Sequence, residues 1–117
     1  MTLRNEKVRK AMMREISQIL LTEIQDTRIS TLVSVTDVVM SHDNSFAKVY
    51  FSILEENEDE KKKIFEALNS HKSQIRYQIG KRIRLRVTPD IKFYLDESLE
   101  RGMKVLELID KISKDEL

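Results

Sequence analysis

Arg82, Arg84 and Arg86 stand at alternate positions with Ile83, Leu85 and Val87 between them. Read as a strand, this two-residue period sends the guanidiniums to one side and the aliphatic chains to the other. A guanidinium is planar, its fork of donors matches two phosphate oxygens at once, and its flat face can stack on a base. The chemistry on offer is non-covalent capture of a polyanion. Lys48 and Tyr50, two apart on an earlier alternating segment, add a cation and an aromatic to the same side if the two segments are neighbours. Lys72, Arg76 and Lys81 come just before the arginines, and no Asp or Glu lies between Ala67 and Thr88. The plain alternative is an exposed polar face that carries charge for solubility.

Bond-making chemistry has little to work with. His42 and His71 are the only histidines, they fall in polar, turn-like stretches, and no Ser or Cys nucleophile pattern accompanies them. The acidic run from Glu55 to Glu60 lacks the spaced ligands and the turn glycine of a calcium loop. It suits a helix N-terminus, where carboxylates favour the macrodipole, and it repels RNA from that side. The expectation is a non-enzyme without catalytic residue, metal or cofactor.

These residues sit in a chain of 117 with a net charge of only +1, although 35% of its residues are charged. The charge is unevenly spread. Up to Arg14 the chain has Arg4, Lys7, Arg9, Lys10 and Arg14 against Glu6 alone, whereas acid gathers at Glu55, Glu56, Glu58, Asp59 and Glu60 and again from Asp96 to Glu116. A folded version is therefore electrically two-sided. No apolar stretch approaches the roughly 20 residues of a membrane span, and the first residues lack a signal-peptide core. One cytoplasmic, monomeric domain over residues 1–117 is expected, with a core at about 4–96 and a C-terminal helix at about 97–114.

Hydrophobic spacing supplies the elements. Val8, Ala11, Met12, Ile16, Ile19, Leu20 and Ile24 fall at three- and four-residue steps, the period of a helix face, over Arg4 to Ile24. Thr31 to Met40 is rich in β-branched residues and reads as a strand with a bulge near Asp37. Polar Ser41 to Ser45 make a turn, and Phe46 to Leu54 form a second strand in which Ala47, Val49, Phe51 and Ile53 share one face. Asn57 and Glu60 resemble a capping box for a helical stretch through Ile64, Leu68, Ile75 and Ile79, broken in pattern near His71 and stopping at Gly80. Arg82 to Val87 reads as the third strand, interrupted at Pro89, with alternation resuming at Ile91, Phe93 and Leu95. A helical crossover returns a strand parallel and right-handed. The expected fold is α+β: a three-stranded mixed sheet, its hairpin antiparallel and its third strand parallel to the second, with helices on one face.

That order is αββααβ, the arrangement of type II KH domains, and the residues are similar to one family within it, ribosome-binding factor A. The matching pieces are Arg4-x-x-Lys7-Val8 with Glu15-Ile16-Ser17-x-Ile19-Leu20, then Glu23-Ile24-x-Asp26-x-Arg28, Val33-Ser34-Val35-Thr36-Asp37-Val38, and Ala47-Lys48-Val49-Tyr50-Phe51-Ser52. The closing stretch from Leu85-Arg86-Val87 through Pro89-Asp90-Ile91, Phe93, Asp96 and Ser98 to Gly102 is the most specific. The chain departs from the family at the helix break, where His71-Lys72-Ser73 replace the usual Ala-x-Gly and suggest a stiffer turn; it also lacks the Gly-x-x-Gly clamp of ordinary KH modules.

The resemblance implies a non-enzymatic assembly factor that binds free 30S ribosomal subunits and 16S rRNA, promotes late maturation of the 16S rRNA 5′ end, and serves cold adaptation. Ribosomal proteins and an assembly GTPase are further implied partners. The RNA-binding candidates are Lys72, Arg76, Lys81, Arg82, Arg84, Arg86, Lys48, Tyr50, Arg28, Arg4, Lys7, Lys10 and Arg14. A module that recognises a ribosomal protein or another assembly factor, without touching RNA, is the alternative.

Overall fold

The computed structural model describes residues 3–98, with side chains from Asn5 onward. In chain order the elements are helices α1 (Leu3–Thr22) and α2 (Thr27–Leu32), strands β1 (Val33–Met40) and β2 (Phe46–Ile53), helices α3 (Glu58–Ser70) and α4 (Lys72–Arg82), and strand β3 (Asp90–Leu95). The sheet order is β1-β2-β3, with β1 antiparallel and β3 parallel to the central β2. Fold class and strand directions are those the hydrophobic pattern implies.

One sheet face is covered. Ala47, Val49, Phe51 and Ile53 of β2 are buried together with Ile91 and Phe93 of β3, against Met12, Ile16 and Ile19 of α1, Ile64 and Leu68 of α3 and Ile75 and Ile79 of α4. Phe51 and Phe93 meet edge to face, their centroids 4.8 Å apart. The other face carries Lys48, Tyr50, Lys92 and Tyr94, because successive side chains alternate. The bulge falls where expected: the β1–β2 register shifts between Val35 and Asp37, leaving Thr36 as the extra residue.

Local caps explain the boundaries. Asn57 Oδ1 accepts from Glu60 N at 3.0 Å and starts α3. Asp26 Oδ1 does the same for Arg28 N at 3.0 Å and starts α2, a short helix whose last two residues, Thr31 and Leu32, stand where the β-branched composition suggests the beginning of a strand. In the β1–β2 turn Asn44 has φ 60°, and Asp43 Oδ1 accepts from Ser41 Oγ, Ser45 N and Ser45 Oγ. At His71, φ −95° and ψ 7°, the helical stretch divides into α3 and α4. The C-terminal helix expected at about 97–114 lies outside the described residues, save that Ser98 N donates to Asp96 Oδ1 at 2.9 Å.

The third strand is displaced from its expected place. Residues 82–87 are not a strand: α4 runs through Gly80 to Arg82, residues 83–89 form a loop, and β3 begins at Asp90. Pro89 has no N–H, so the ladder cannot run through it; Asp90 N is the donor that opens the new edge, to Ser45 O at 3.0 Å. Val87 is accordingly 65% exposed, where the strand reading puts it in the core. Gly80 does not end α4. It lets the loop approach: a Cβ there would lie 2.8 Å from Thr88 Oγ1.

Two measurements check this account. Phe93→Ala is expected to cost roughly 3–5 kcal/mol in urea unfolding, and Leu85→Ala no more than about 1 kcal/mol, the reverse of what a strand at 82–87 requires. The turn hydrogen bonds from Ser45 and Ser41 hold the Asp43 carboxyl below its ordinary 3.8, at about 2. A depressed folded-state value means that the carboxylate's contribution is complete above the ordinary value and is lost as pH falls through about 2. Amide exchange at Ser45 should rise over that window, and Asp43→Asn should remove the dependence.

Candidate nucleic-acid interface

The structure divides the candidate cations into those engaged within the fold and those left to solvent. Arg82, at the C-terminal end of α4, turns back onto α1: its guanidinium lies 3.5 Å from Glu15 Oε2 and 3.2 Å from Glu23 Oε1. The arginine expected to project from a strand instead joins two helices, at a helix end where a cation also suits the macrodipole. Arg76 is a loop clamp. Its Nε donates to Pro89 O at 3.0 Å and its Nη2 to Thr88 O at 2.9 Å, which fastens the segment entering β3. Arg28 pairs with Asp26 through Nε at 3.2 Å and Nη2 at 3.0 Å. Those bonds hold the Asp26 carboxyl below its ordinary range. Arg9 likewise bonds Glu6, whose carboxyl it lowers, and reaches Asp37 of β1 at 2.9 Å.

Most of the remaining candidates are exposed. On α1, Arg4 falls in the first turn, and Lys7, Lys10 and Arg14 share one exposed stripe with Gln18, since steps of three, four and four residues return to the same face. Arg14 lies 3.6 Å from Glu15 and is 70% exposed; Lys7 and Lys10 have no ion-pair partner among the described residues. Arg84 and Arg86 are exposed in the loop after α4. Arg82 meets the C-terminal half of α1 and Glu23 just beyond it, and Leu85 to Val87 share a cleft with Asn5 and the turn residues His42 to Ser45. The loop therefore runs toward the N-terminal end of α1 and reaches it beside buried Asn5, while exposed Lys7 and Lys10 stand on other sides of that helix end. Lys72 is half-buried at the start of α4, and Lys81 is exposed with its ammonium 5.3 Å from the Tyr77 ring.

Lys48 and Tyr50 lie on the open sheet face as expected, but their neighbours are Lys92 and Tyr94, not the arginines. Tyr50 and Tyr94 stack with centroids 5.3 Å apart. The signal that identifies Lys92 and Tyr94 was present: Ile91, Phe93 and Leu95 alternate, so the residues between them must face the other way. Among the described residues no group of His, Asp or Glu could hold a metal ion, and no helix is long and apolar enough to cross a membrane.

An α+β domain with a β1-β2-β3 mixed sheet, helices on one face and a broken helical crossover is of the type II KH-like class. The sequence profile of ribosome-binding factor A matches residues 4–109. A ribosome-binding factor A of Caldanaerobacter subterraneus subsp. tengcongensis is 42% identical over 116 residues, covering 99% of this chain and 94% of that protein. The crystal structure of ribosome-binding factor A from Thermus thermophilus superposes with a TM-score of 0.66 at 20% identity, over 80% of this chain and 96% of that one. Thermus thermophilus ribosome-binding factor A coordinates fitted into a cryo-electron microscopy map of a 30S complex give 0.57 at 21% identity, over 84% and 97%. The chain belongs to the ribosome-binding factor A family.

The division of the arginines has a direct test. Arg82→Gln should lower stability by about 1 kcal/mol, since its partners are only partly shielded from water. Arg84→Gln with Arg86→Gln should stay within about 0.5 kcal/mol of the parent in the same urea titration.

Proposed function

We propose that this chain is a cytoplasmic, non-enzymatic ribosome assembly factor that binds free 30S subunits through 16S rRNA and promotes late maturation of the 16S rRNA 5′ end, with its greatest importance in the cold. Family membership supports the subunit as target, as does the fitting of the Thermus thermophilus relative into a 30S complex. The observation that carries the RNA reading is the set of unengaged cations at the N-terminal end of α1: Lys7 and Lys10 on the helix and Arg86, with Arg84, on the adjoining loop. Cations held by carboxylates have little left to give a phosphate, whereas these form no ion pair among the described residues. Acidic Glu58, Asp59 and Glu60 stand in the first turn of α3, so RNA is repelled from that helix end.

Each phosphate neutralised releases counterions, so log affinity falls with log salt by roughly 0.7–0.9 per contact. Replacing Lys7, Lys10, Arg84 and Arg86 by Gln should weaken binding to purified free 30S subunits and flatten the salt slope by roughly 3–4 units. An unchanged slope in the folded variant, or binding that protein-free 16S rRNA cannot compete, would overturn the RNA contact and leave recognition of a ribosomal protein.

A further inference from the structure

The open sheet face carries an arrangement that the fold does not require. Lys48 and Lys92 stand directly opposite each other in the parallel β2–β3 register, both exposed. Like charges opposite one another across a strand pair repel. The third member of the row is Val39, so no carboxylate separates them, and neither ammonium has an ion-pair partner among the described residues. Nearby acids are otherwise engaged: Asp37 bonds Arg9, Asp96 accepts from Thr36 Oγ1, and Asp90 lies 3.5 Å from Arg76. What steadies the two ammoniums is a single ring. Lys48 Nζ lies 6.0 Å and Lys92 Nζ 5.4 Å from the Tyr94 centroid, within reach of its negative π-face.

The geometry of the rings decides what this face can recognise. Tyr50 and Tyr94 stack on each other with 24° between their planes. Each ring thus gives one face to the other, and the lysine chains crowd Tyr94, so the pair is poorly disposed to stack bases. It offers ammoniums and phenol edges instead, which suit backbone phosphates and ribose hydroxyls read without regard to sequence. The helices, α1 among them, cover the opposite face of the same sheet.

We infer that this face is a second RNA-backbone site, and that the domain therefore holds two separate RNA segments, one against Lys48 and Lys92 and the other at the N-terminal end of α1. The inference rests on the RNA reading above and adds to it the bridging of two segments. Because the chain contains no cysteine, single thiols can be introduced at exposed Val39, beside the lysine pair, and at exposed Gln18, on the α1 stripe. Each carries a tethered iron chelate that cuts RNA locally, and each labelled protein is bound to purified free 30S subunits. Two sets of cuts on non-adjacent 16S rRNA segments are expected. Adding Lys48→Gln and Lys92→Gln should abolish the Val39 set, leave the Gln18 set in place, and flatten the salt slope by roughly 1–2 units. The inference is overturned if the Val39 probe gives no cuts while the Gln18 probe does, if both cut one segment, or if the Val39 set survives loss of the lysines. Absence of binding by the unlabelled chain would overturn the RNA reading itself, and bridging with it. Circular dichroism of each variant confirms that these surface changes leave the fold intact.

Discussion

Phe51 meets Phe93 edge to face across the β2–β3 pair, with 80° between the ring planes, and this contact fixes the position of much else. Both rings are fully or nearly fully buried, so the parallel pairing that brings them together is also what closes the core over the helices. A parallel pair cannot be made by a tight turn; it needs a crossover, and α3 with α4 is that crossover. The length of α4, the loop that follows it and the start of β3 are then constrained together. Arg76 secures the last of these by holding the carbonyls of Thr88 and Pro89.

The same packing sorts the charges. Arginines drawn toward the inside of the fold find carboxylates: Arg82 finds Glu15 and Glu23, and Arg9 finds Glu6 on its own helix and Asp37 on β1. These pairs hold α1 to α4 and to β1. Cations outside the packing, Lys7, Lys10, Arg84 and Arg86 on one side and Lys48 with Lys92 on the other, keep their charge for solvent or for an anion. A chain with almost no net charge thus presents positive surfaces, because a good part of its acid is matched within the fold or gathered at the start of α3.

Much of the architecture was legible in the sequence because it depends on period and on caps. The α1 stripe, the alternation in β2, the bulge near Asp37 and the Asn57 cap all follow from local residue types. The third strand did not, since Arg82 to Val87 alternates as well as Ile91 to Leu95 and periodicity cannot choose between them. What chooses is tertiary: Phe93 has a ring to meet and Arg82 has the carboxylates of Glu15 on α1 and Glu23 just past it, and neither fact is local. Pro89 was the one sequence cue, and it does interrupt the pattern, but it marks the beginning of the strand and not a break within it. For the candidate site the consequence was a change of neighbours, with Lys92 and Tyr94 beside Lys48 and Tyr50 in place of the arginines.

Gly80 sets the distance between α4 and the loop through the absence of a single methyl group, for the space a side chain would fill is already taken by Thr88. A side chain there would have to displace Thr88 Oγ1, on a residue whose carbonyl is held by Arg76 one turn earlier on the same helix. The position therefore works as a mechanical spacer on the segment that carries Arg84 and Arg86. A wedge inserted there would swing those cations relative to α1 without altering any charge, separating the geometry of the surface from its electrostatics.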